Sequence, residues 1–128
     1  QHERIQVFDE NGEFLMLFNT REDGWPSEAH SLPYYIMITD DQFLWMGDGG
    51  TQQIVKYDLN GNYLYSWGQK GGQPGQFYGP HQMSVDQNGN LFVAEVQNGR
   101  IQRFEPKANA DPAHLIGQEV RFQAAAGN

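Results

Sequence analysis

The chain has 128 residues, 15 of them glycine, no cysteine and a net charge of −8 from 16 acidic and 8 basic residues. The acidic balance argues against nucleic-acid binding, which needs a basic stripe facing phosphates, and against anionic membrane surfaces. Without cysteine there is no disulfide framework and no thiol chemistry, and no apolar run is long enough to span a bilayer.

In chain order, Ile5 to Phe8 and Phe14 to Phe18 read as two strands joined by a turn at Asn11-Gly12. Asn-Gly supplies the positive φ angles that a tight hairpin needs. Residues 19–32 form a long insert carrying Arg21, Glu22, Asp23, Trp25, Glu28 and His30. Long loops on a rigid scaffold are where recognition concentrates, so Trp25 and His30 are candidate ligand contacts.

Tyr35–Ile38, Phe43–Met46, Gln53–Tyr57 and Tyr63–Trp67 then alternate with turns at Asp40-Asp41-Gln42 and Asn60-Gly61. This period of two predicts strands rather than helices. Residues 68–79 are Gly-rich and superficially like a phosphate loop. They lack the Gly-Lys-Ser/Thr ending and no helix follows, so they are read as a connector. Gln82–Val85, Leu91–Ala94 and Arg100–Phe104 continue the strands, and Ala113–Ile116 is expected to add a last short one. The tail from Gln118 is expected to lie on the surface or fray.

These strands repeat. At an offset of 47 residues Pro33 stands over Pro80, Ile38 over Val85, Leu44-Trp45-Met46 over Leu91-Phe92-Val93, Asp48 over Glu95 and Ile54 over Ile101, with no gap. Arg4 to Gly12 stands over Gln53 to Gly61 at an offset of 49. A period in the forties built from short strands and Gly turns is the signature of propeller blades. The expected architecture is all-β, with about ten strands in two and a half four-stranded blades. Residues 1–18 form a half blade, 33–67 a full blade, 80–117 the last blade and 118–128 a tail. Blades bury their faces only against neighbours, so further blades, from the same protein, from other copies or from another chain, are expected to complete the ring.

The stretch from Gly75 to Asp86, then Gly89 to Glu95 and Asn98 to Phe104, resembles an NHL repeat, as do Arg4 to Gly12 and, more loosely, the middle copy. The resemblance covers the chain to about Gly117 and implies an NHL-type β-propeller, usually six-bladed. More narrowly, the run from Gly75 to Phe104 followed by Asp111 to Gln118 is similar to the last blade of bacterial relatives of the peptidyl-α-hydroxyglycine α-amidating lyase. That family implies a secreted or periplasmic protein. It cleaves hydroxyglycine-extended peptides to amide and glyoxylate, using a channel zinc held by His from alternate blades with catalytic Tyr and Arg nearby. The family's Pro-His zinc-ligand motif matches Pro80-His81, and Tyr34 stands one blade earlier. The catalytic-Arg place is Val96 in the last blade and Gly49 in the middle one. The loop Gly47-Asp48-Gly49-Gly50 has no Tyr, so no catalytic residue is assigned.

The candidate site residues are therefore His81 as metal ligand, and Trp25, His30, Tyr34, Asp48 and Glu95 as contacts for a peptide or protein. Asp48 and Glu95 are open to two readings: paired acids at the channel mouth, or carboxylates accepting backbone N–H bonds from the next loop. No Ser-His-Asp set can be assembled. The two functional readings are a binding scaffold and, alternatively, a zinc-dependent lyase active only in a completed propeller.

Overall fold

The structure, a computed structural model, describes residues 3–21 and 30–120. Within them nine strands form three antiparallel sheets in strict sequence order. Strands β1 (Arg4–Phe8) and β2 (Phe14–Asn19) make a two-stranded sheet. Strands β3 (Pro33–Thr39), β4 (Phe43–Asp48), β5 (Gln53–Asp58) and β6 (Tyr63–Trp67) make a four-stranded one. Strands β7 (Pro80–Val85), β8 (Leu91–Glu95) and β9 (Arg100–Phe104) make the third. The described residues thus form a run of propeller-type blades: a half blade, a full blade and a three-stranded blade.

One turn chemistry recurs. Asp9, Asp58 and Asp86 each accept the backbone N–H groups two and four residues ahead, at 2.8–2.9 Å. Each turn then carries a glycine at positive φ, 84° at Gly12, 91° at Gly61 and 81° at Gly89. The aspartate side chain mimics a backbone turn while the glycine takes the left-handed place without a Cβ clash. Burial alone would raise the Asp58 carboxyl, but hydrogen bonds from Asn62, Asn60 and Gly61 hold it below the ordinary value. At Asp86 the side-chain hydrogen bond from Asn90 leads, and again the carboxyl sits low.

Alternation along β4 and β5 divides the middle blade's side chains between two cores. Leu44, Met46, Val55 and Tyr57 pack with Ile5 and Phe18 of the half blade. Trp45 and Ile54 pack with Met37, Phe77, Met83, Val85, Leu91 and Val93 toward the last blade. With neighbours on both faces, β4 and β5 are buried almost throughout. The outer sheets are covered on one face only, and Leu15, Leu17 and Ile101 stand exposed.

Gly61 also sits against the buried Phe18 ring, where a Cβ would collide, whereas nothing lies near the equivalent point of Gly12. Gly12→Ala is expected to cost about 1 kcal/mol for its left-handed φ alone, and Gly61→Ala about 2–3 kcal/mol because Phe18 must also move. Urea midpoints of the two variants check the difference; equal losses would mean that the Phe18 contact contributes nothing.

The end of the last blade departs from expectation. Instead of a strand at Ala113–Ile116, Pro112–His114 form a short 3-10 helix. Asp111 caps it by accepting the Ala113 N–H at 2.9 Å, and Pro112 has no N–H to offer a strand ladder. The segment turns back beneath the middle blade. The Lys56 ammonium donates to the Ala113 carbonyl at 2.7 Å, and the His114 ring stacks on Tyr65 at 3.7 Å, nearly parallel. Nor do residues 118–120 fray. Asp40 N–H donates to Gln118 O at 2.7 Å, Val120 N–H to Ile38 O at 2.8 Å, and the Gln118 side-chain amide to Asp86 O at 2.7 Å. The start of the tail clasps the inner edge of the middle blade to the first turn of the last one. Residues 121–128 lie outside the described residues.

Candidate functional site at the head of the inner strands

β3 and β7 are the innermost strands of adjacent blades, and both begin with proline followed by a β-bulge. Pro33 pairs with Asp48 and Tyr35 with Gly47, so Tyr34 is the extra, unpaired residue. In β7 the partners are Pro80 with Glu95 and Gln82 with Ala94, which leaves His81 as its counterpart. A bulge re-aims the side chain it inserts and breaks the ladder there. Both rings are exposed, and they come together with centroids 5.2 Å apart and planes tilted by 34°. Close backbone approach permits this meeting. A Cβ on Gly47 would strike the Pro80 carbonyl, and one on Gly49 would strike the Tyr34 ring.

Behind these rings stand the two repeat-related acids, both buried. Asp48 accepts from Leu32 N–H at 2.5 Å, Thr51 N–H at 2.8 Å, the Thr51 hydroxyl at 2.5 Å and the Ser31 hydroxyl at 3.3 Å. Glu95 accepts from Tyr78 N–H at 3.0 Å, Asn98 Nδ2 at 2.7 Å, Arg100 Nε at 2.7 Å and Gln102 Nε2 at 2.8 Å. Burial would raise the Glu95 carboxyl, but the donors from Arg100, Asn98, Gln102 and Tyr78 outweigh it and hold the group low. A carboxylate held in its charged form by four donors is a poor general base. Both acids fasten the loop entering their own blade. The backbone bonds beside them keep the 47-residue register: Gly49 N–H to Leu32 O, and Val96 N–H to Gly79 O.

His30 is exposed and pairs with Glu3 on the half-blade side. Trp25 lies outside the described residues. The structure therefore brings Tyr34 and His81 together in front of Asp48 and Glu95, and leaves His30 apart. Among the described residues no three His, Cys, Asp or Glu side chains gather as a metal site. His81 offers a single imidazole where zinc needs three or four ligands, so these residues do not hold zinc by themselves.

Two contributors escaped sequence reading. Arg100 spans from Glu95 to the carbonyls of Gly72, Gln73 and Gln76, tying the connector to the blade. Gln52 accepts the Gly79 N–H at 2.6 Å and donates to Gly49 O at 2.7 Å, joining the loops beneath Tyr34 and His81. The available signal was the repeat: Gln52, at φ 58°, stands 47 residues before Gly99, at φ 61°, a left-handed place that a non-glycine occupies only under local constraint.

The family model described as NHL repeat matches residues 77–104, the stretch that builds Phe77, His81, Glu95 and Arg100 into one blade. The chain carries an NHL repeat. Over 72 residues it is 33% identical to human NHL repeat-containing protein 3, covering 56% of this chain and 21% of that protein. It is 37% identical over 72 residues to Xenopus laevis peptidyl-glycine alpha-amidating monooxygenase B, covering 52% of this chain and 8% of that protein. The A form from the same frog is 39% identical over 72 residues. The chain thus spans about a fifth or less of the length of these curated relatives. His81 lies within the matched stretch, at the bulge near the start of β7.

Proposed function

We propose that the chain supplies blades to an NHL-type propeller acting as a binding scaffold, in which Tyr34 and His81 present a paired ring surface to a peptide or protein. The observation that carries this reading is the matched bulge, which turns both rings outward while Asp48 and Glu95 are occupied by donors. Further blades, from the same protein or from other copies, would cover the exposed Leu15, Leu17 and Ile101.

A second reading is a zinc-dependent lyase acting on α-hydroxyglycine-extended peptides. It is favoured by the similarity to the frog proteins named for peptidyl-glycine alpha-amidation. His81 would supply one zinc ligand there, and other blades the rest.

A dansylated peptide ending in α-hydroxyglycine separates the two, with zinc counted by native mass spectrometry. Binding without turnover, weakened about five- to tenfold in His81→Ala, is the scaffold result, the size expected from losing one ring contact. Glyoxylate release together with a stoichiometric zinc that disappears in His81→Ala is the lyase result. In the completed propeller, a peptide that is not cleaved and a site that takes up no zinc remove the lyase reading, and a peptide that does not bind removes α-hydroxyglycine peptides as the scaffold's ligand.

A further inference from the structure

The Gln52 side chain spans two blades, and each of its ends holds one half of the ring pair. Its Nε2 donates to the Gly49 carbonyl at 2.7 Å, and Gly49 lies so close to the Tyr34 ring that a Cβ there would strike it. Its Oε1 accepts the Gly79 N–H at 2.6 Å, and Gly79 leads through Pro80 into the bulge that turns out His81. An amide suits this bridge because one end donates while the other accepts. The repeat adds a second observation. Glu3 stands 49 residues before Gln52 and also reaches forward, to His30 in the loop entering the middle blade. In the last blade the place is Gly99, with no side chain to reach onward. Gln52 sits at φ 58° and Gly99 at φ 61°, a backbone that glycine adopts freely and other residues only at a cost. A glutamine at a strained place that glycine fills one repeat later is accounted for by what its side chain does.

We infer that Gln52 is the positioning residue of the Tyr34–His81 surface, holding the Gly49 and Gly79 loops at one separation so that the two rings meet. Asp48 and Glu95 each fasten the loop of their own blade, whereas Gln52 bonds to the loops of both. The contact of Gly47 with the Pro80 carbonyl lets the strands approach, and the directional Gln52 bonds set how the loops face each other. The functional weight of this role rests on the binding reading above; its geometry does not.

The test reads ring-to-ring cross-relaxation by proton NMR in the free chain, between Tyr34 and His81. Trp67 and Phe77, which join the same two blades through the core, serve as internal control. Gln52→Gly removes the bridge at a φ that glycine accepts, so the urea midpoint should stay close to the parent's. The expected result is loss of the Tyr34–His81 cross-peak with the Trp67–Phe77 cross-peak retained. Gln52→Asn tolerates the left-handed place but is one methylene too short to span both loops. It should give the same result, and it keeps the test open if Gln52→Gly does not fold. A Tyr34–His81 cross-peak that is missing from the parent, that survives in either folded variant, or that disappears only together with the control would overturn the assignment. The readout needs no ligand. A ring pair held by Gln52 that binds no peptide or protein would count against the binding reading and leave the positioning role standing.

Discussion

Replacing Glu95 by glutamine is expected to lower stability by about 3 kcal/mol at neutral pH, the size of breaking a buried, hydrogen-bonded ion pair. The Glu95 side chain has no solvent exposure. Its Oε1 accepts from Tyr78 and Asn98, and its Oε2 from Arg100 and Gln102. Glutamine keeps one acceptor oxygen and sets an NH2 group against the other two donors, in whichever orientation it adopts. Arg100 would lose its carboxylate while remaining held by three carbonyls. The effect should vary with pH. The folded carboxyl lies below its ordinary value, near 4.3 in an unfolded chain, so its contribution is present above that pH and is lost as pH falls through the folded value. Urea midpoints at pH 7 and pH 3.5 should therefore differ less in Glu95→Gln than in the parent. Part of the slope will persist, because Asp58 and Asp86 are shifted in the same direction. Equal midpoints for variant and parent at pH 7 would show that the network contributes nothing net.

Phe77→Ala should be comparably severe, at about 3–5 kcal/mol, the usual cost of emptying a buried Phe site. Phe77 is wholly buried between two blades, 5.3 Å from the Trp67 ring and 5.7 Å from Phe104 by centroids. It also anchors the connector, donating its N–H to Gln69 O and accepting from Gly71 N–H. The loss would thus include both the cavity and the docking of residues 69–77. His30 occupies the same place one repeat earlier, exposed and paired with Glu3, so His30→Ala should change stability by less than about 0.5 kcal/mol. Thermal unfolding of the two variants checks the contrast. A small loss in Phe77→Ala would mean that the two blades are not held together through this ring.

The repeat made most of the fold legible. Its register depends on side chains pointing alternately to two cores and on left-handed turn places, which leave marks at fixed spacing such as Gly12, Gly61 and Gly89. What lay outside the repeat was not legible. From Pro106 onward the sequence no longer keeps step with the earlier copy: 47 residues after β6 (Tyr63–Trp67) stand Ala110 to His114, where Asp111-Pro112 replaces the alternation of a strand. The Asp111-Pro112 pair was a usable cap signal that a short helix starts there. Lys56 falls within the expected strand Gln53–Tyr57, where nothing in the sequence singles it out. It is buried because the returning segment lies over it, a contact between distant parts of the chain that local pattern cannot carry. At the site, Pro80-His81 was visible as a motif, but its pairing with Tyr34 needed the two bulges. The donors to Glu95 follow it at intervals of three, five and seven residues, along one side of β9 and the turn before it. The buried carboxylate needed such donors, and the spacing could have named them.

The clasp formed by residues 118–120 bears on the order of assembly. It joins the edge of β3 to a segment made after every strand described, and contacts between such distant residues form late. Until it closes, the rim of the middle blade offers unpaired backbone groups to any extended segment within reach. During synthesis that segment could belong to a neighbouring nascent chain. The clasp covers part of that rim, and it can do so only once residues 118–120 are free to fold back onto β3.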